Sequence, residues 1–96
     1  TPCSEICYEL GTYFLGQRDY DEAVLWFYNA AYETSSILDI HTNGDLPLLG
    51  LVECYEMLLA DEKARIPSNT ALVIQYEMMI DKYREASRDW RMPSEL

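Results

Sequence analysis

Apolar residues in the first third of the chain gather on one helical face. Cys7, Leu10 and Phe14 recur at intervals of three and four, with Gly11 among them. That spacing predicts an amphipathic helix with a place where a second helix comes close. Gly16 to Asp19 supplies a polar break; Asp19 or Asp21 can accept the free N–H groups opening the next helix, and Glu22 suits its positive end. Ala23, Phe27, Ala30 and Ala31 then set small and aromatic positions against Leu10 and Phe14, the pattern of two antiparallel helices interlocking at short range.

Ile37 and Leu38 continue the stripe of this second helix, which is expected to run past Thr34 until Thr42-Asn43-Gly44-Asp45 ends it with turn-forming types. Asp45 reads as the cap of a third helix from Leu46 to about Leu59, with Pro47 tolerated in its first turn. Pro67, within Arg65 to Asn69, forbids an unbroken helix beyond that point. Ser68 or Asn69 caps a new start, and Leu72, Tyr76, Met79, Tyr83, Ala86 and Trp90 follow at spacings of 4, 3, 4, 3 and 4. Such a stripe suits a final helix laid over the preceding pair, or a short seam making a homodimer through Leu72, Tyr76, Met79, Tyr83 and Trp90. With fewer than three heptads, and Tyr and Ala among them, the capping helix is the expectation. The apolar run Ala71 to Ile74 wraps more than one face of that helix.

The first hairpin resembles a tetratricopeptide repeat. It carries Leu10-Gly11, an aromatic at Phe14, a polar turn with Asp19-Tyr20, then Ala23, Phe27 and Ala30. Leu51, Val52, Tyr55 and Ala64 lie a constant 41 positions beyond Leu10, Gly11, Phe14 and Ala23. Since this repeat has a period of about 34 residues, roughly seven extra residues separate two copies. The resemblance implies an all-α fold: about two TPR-like antiparallel helical hairpins with a long C-terminal capping helix. Residues 1–96 form one domain, with repeat one at about 4–36, an inter-repeat turn at 37–45, a divergent second repeat at 46–66 and the last helix at 69–91.

Composition fits a small helical domain: 96 residues, 49% of them hydrophobic, with four glycines and four prolines. No apolar run approaches the roughly 18 residues that span a bilayer, and no charged-then-apolar leader opens the chain. A soluble protein without membrane insertion is expected. Three cysteines make an odd count, Cys3 and Cys7 are one helical turn apart, and Cys54 falls in the core of helix three. That argues against a disulfide framework and for a reducing cytoplasm.

Charge is uneven. Through Glu62 there are twelve acidic residues and one basic, Arg18, a balance of −11; from Lys63 onward the balance is +1. A chain of net charge −10 without a basic face is expected to bind no nucleic acid, and an anionic membrane is disfavoured.

Candidate chemistry is sparse. Cys3, Cys7 and the single His41 lack the paired cysteines of a zinc site. Asp39-x-His41-x-Asn43-Gly44 opens like a calcium loop, but the twelfth position is Gly50 where a glutamate belongs. His41 has no nucleophile in register, and Gly11, Gly16, Gly44 and Gly50 are too scattered to cradle a phosphate. No catalytic residue, cofactor or metal is expected.

The resemblance points instead to binding. In tetratricopeptide arrays the concave surface comes from the first helix of each pair, which here implies Glu5, Tyr8, Thr12, Leu49, Glu53 and Glu56 as partner-binding residues. Those faces lack the Lys and Asn with which some members grip a terminal carboxylate, so the implied partner is a basic or neutral protein or peptide. More narrowly, Ser4 to Gly11, Tyr20 to Ala31, Ile37 to His41 and Pro47 to Leu51 resemble the tetratricopeptide tails that follow the catalytic domain of bacterial family-2 glycosyltransferases. That likeness covers roughly residues 4 to 64 and implies an accessory module whose transferase activity lies elsewhere. The alternative is a small free-standing adaptor or self-assembling protein.

Overall fold

Phe27 organises the first three helices because two glycines leave room for its ring. The computed structural model describes residues 3–33 and 43–91, as four helices with no strand among them. These are α1 (Ser4–Gly16), α2 (Tyr20–Tyr32), α3 (Leu46–Ala64) and α4 (Thr70–Asp89). A Cβ added at Gly11 of α1 would lie 2.6 Å from the Phe27 ring, and one added at Gly50 of α3 would lie 2.8 Å from it. Phe27 is therefore clasped from both sides and is only 2% exposed. The close approach expected at Gly11 is present, and Gly50 adds a second.

The first hairpin is antiparallel. Ser4 at the start of α1 donates its hydroxyl to the Ala30 carbonyl near the end of α2, at 3.0 Å. Its turn is tight: Arg18 takes the left-handed conformation at φ 60°, and the Asp19 N–H donates back to the Phe14 carbonyl at 2.9 Å. Of the two capping candidates Asp19 acts, accepting from the Glu22 N–H at 3.4 Å. α2 closes at Tyr32 with Glu33 at its C-cap, short of the extension expected past Thr34. The continuation expected at Ile37 and Leu38 falls on residues 34–42, outside the described residues.

α3 starts at Leu46 as expected, after Gly44 at φ 60°, but runs to Ala64 rather than Leu59. Leu58 to Ala64 contains only helix-compatible residues, and nothing stops the helix until Pro67 constrains the residues ahead of it. Leu51 and Val52 are buried in the core and Tyr55 packs against it. Ala64 departs from the scheme: it ends α3 instead of opening a second arm. The second hairpin is α3 with α4.

Both ends of that hairpin are tied by polar side chains. Asp45 occupies the N-cap of α3 without capping it; its carboxylate accepts the Ser87 hydroxyl at 2.6 Å, joining the start of α3 to the end of α4. At the other end the buried Glu62 carboxylate accepts the Asn69 N–H at 2.8 Å, while the Asn69 side chain caps α4 through the Leu72 N–H at 3.2 Å. The stripe of α4 faces α3. Tyr83 is 4% exposed and stacks on Tyr55 at 6.0 Å, Tyr76 meets the same ring at 6.0 Å, and Met79, Ala86 and Trp90 pack against the core. Of the residues considered for a homodimer seam, Tyr76, Met79, Tyr83 and Trp90 thus have contacts within one chain, and Leu72 is half-buried. In the run Ala71 to Ile74, Leu72 and Val73 are half-buried while Ala71 and Ile74 face outward.

Candidate functional site

α1 and α3 run side by side in the same direction. Ser4 receives the Asn43 amide at 3.4 Å near their starts, and Thr12 and Glu53 meet across a groove farther along. The groove encloses about 460 Å³, lined by Thr12, Leu15 and Gly16 of α1, Arg18 and Tyr20 from the turn and the start of α2, and Glu53 and Met57 of α3. The arrangement follows from the packing already described. Seating Phe27 against Gly50 pulls α3 onto the first hairpin, and the faces of α1 and α3 turned from that contact are left to solvent.

The six residues implied for partner binding separate in this geometry. Thr12 and Glu53 share the groove, Thr12 with its hydroxyl donated to the Tyr8 carbonyl at 3.0 Å. Glu5 is exposed on α1, and Leu49, one turn before Glu53 on α3, keeps 45% of its surface in solvent. Tyr8 is half-buried, its ring 5.7 Å from that of Phe27, so much of it serves the core. Glu56 lines a different cleft, of about 440 Å³ between α3 and α4, where it forms an ion pair with Arg84. It stands at the boundary of the outward face of α3, and a partner on α4 draws it over.

Sequence reasoning missed Leu15, Arg18 and Met57 in the groove. Met57 could have been found, lying one helical turn beyond Glu53. Arg18 had no such signal, because its side chain reaches the groove only through the left-handed turn. It places a cation in a groove whose implied partner is basic or neutral.

Two of the thiols, Cys7 and Cys54, are poorly suited to reaction. Burial, reinforced by the neighbouring Glu53 charge, pushes the Cys54 thiol up to about 12, and burial raises Cys7, with Cys3 adding to it. Cys3, Cys7 and Cys54 are all free. Among the described residues no three His, Cys, Asp or Glu side chains gather as a metal cage requires, and no helix is long and apolar enough to cross a membrane. His41 and the Asp39 to Thr42 part of the calcium-like stretch lie outside the described residues. No protein-family model, curated protein or solved structure matches this chain.

Proposed function

We propose that this chain is a non-catalytic protein–protein interaction module of the tetratricopeptide kind, taking a basic or neutral segment of a partner along the groove between α1 and α3. One observation carries the reading. Thr12 and Glu53, picked from equivalent faces of two helices far apart in sequence, line one groove. Support also comes from the paired antiparallel hairpins, from the apolar surface that Leu49 and Met57 leave in solvent, and from the acidic balance of the chain through Glu62. A segment with apolar and basic side chains matches such a surface in both respects.

The same proposal places the module in the cytoplasm, as the accessory region of a bacterial glycosyltransferase. That part rests on the sequence likeness over roughly residues 4 to 64.

A peptide array probed with the native protein and with Glu53→Lys tests the groove. Basic hits should weaken in the variant and fade as salt rises. An unchanged set of hits removes the groove from consideration.

A further inference from the structure

The groove between α1 and α3 carries one charge of each sign. Glu53 of α3 and Arg18 of the turn after α1 both line it, and both are exposed. They stand at different levels along it. Thr12 and Glu53 lie one helical turn before Gly16 and Met57 on helices running in the same direction, and Arg18 follows Gly16. Neither charge is spent inside the molecule: among the described residues no ion pair or hydrogen bond engages the side chain of Arg18 or of Glu53. Their charged neighbours are taken. The Asp19 carboxylate accepts the Glu22 N–H at 3.4 Å, and Glu56 is paired with Arg84. Between the two charges there is room for an apolar group. A Cβ added at Gly16 would meet nothing within 4 Å, Met57 keeps 40% of its surface in solvent and Leu15 is half-buried.

Two opposite charges held apart in one groove discriminate between segments. A uniformly basic segment gains at Glu53 and is repelled at Arg18, a uniformly acidic one meets the reverse, and a segment bearing one charge of each sign is attracted at both. The spacing suits an extended chain. One turn of helix advances about 5.4 Å and alternate residues of an extended segment about 6.6 Å, so same-side residues of the segment meet successive turns of α1 and α3. Resting on the reading of this groove as a binding surface, we infer that it takes an internal segment with a basic, an apolar and an acidic side chain at alternate positions, in that order from Glu53 over Met57 to Arg18. Arg18 is the residue that sets this specificity: it turns a preference for basic segments into one for segments of balanced charge.

NMR titration of the full chain, followed through the methyl signal of Met57, tests the inference with peptides blocked at both ends, so that only side chains carry charge. Salt at about 0.15 M screens the net charge of −10 beyond about 8 Å and leaves the local charges to decide. Each peptide has a central Leu flanked two residues away by Lys and Glu, by two Lys or by two Glu, the mixed peptide being made in both chain directions. The better mixed peptide should bind about threefold tighter than the two-Lys peptide, the scale of one exposed ion pair. Arg18→Glu should reverse that order. Arg18→Asn, a residue type suited to the left-handed backbone at φ 60°, should remove the advantage of the mixed peptide. A chain that prefers the two-Lys peptide, or a ranking that both Arg18 variants leave unchanged, overturns the inference. The reading of the groove then still stands if Glu53→Lys weakens the Lys-bearing peptides, and falls with it if Glu53→Lys changes nothing.

Discussion

The two hairpins solve one packing problem in opposite ways. α1 and α2 close on each other by removing bulk, with Gly11 against the Phe27 ring and alanines at 23 and 30 on the facing helix. α3 and α4 are joined through bulk, Tyr55 between Tyr76 and Tyr83, with polar ties at either end. Removing side chains yields a tight seam that tolerates no added atom. Joining through large rings leaves spaces beside the joint, and two of the clefts in this molecule border α4.

The sharpest way to break this contrast is to add atoms at the tight seam. Gly11→Leu or Gly50→Leu should each lower stability by about 1–3 kcal/mol through overpacking against Phe27, visible as a lower midpoint in thermal melting. Equal tolerance of leucine at both positions would mean that the seam is looser than drawn. At the other hairpin the corresponding weak point is polar. Glu62→Leu leaves the Asn69 N–H without its acceptor in a part-buried turn and should cost about 1–3 kcal/mol in denaturant melts, whereas Arg84→Ala, which removes an exposed ion pair, should cost about 0–1 kcal/mol. If the two variants behave alike, the buried carboxylate is not what holds the turn.

A finer probe is alkaline pH. Burial first, then Tyr55, Tyr32 and Tyr28, hold the Tyr83 phenol up at about 12, above its ordinary value of 10.0. Cys54 is raised to about 12 from 9.0. In both cases the folded state favours the protonated form, so the associated stability is complete below the ordinary values and is lost as pH rises toward 12. Melting midpoints should be insensitive to these groups below pH 9 and fall above it. Tyr83→Phe should make that fall shallower, and an unaltered slope would mean that Tyr83 does not contribute to it.

What could be read from the sequence follows from how local each signal is. The first hairpin was legible because every contact in it lies within one tightly punctuated stretch, and Asp19 and Asn69 were each one of two cap candidates from their place ahead of an apolar stripe. The end of α3 was not, because no residue between Leu59 and Pro67 breaks a helix, and the periodic match at Ala64 suggested a second arm where the first simply continues. The ion pair of Glu56 was not legible, because its partner, Arg84, lies 28 residues away on another helix.

The ring of Phe27 has a consequence for where folding units begin and end. Cut free as a peptide, the first hairpin would keep the glycine on one side of that ring but bare the side that Gly50 covers. Its pattern of apolar positions is that of a finished hairpin, yet its energetics are those of a fragment. The smallest autonomous piece should include α3, which makes the cooperative boundary in this chain fall one helix later than the end of the first hairpin.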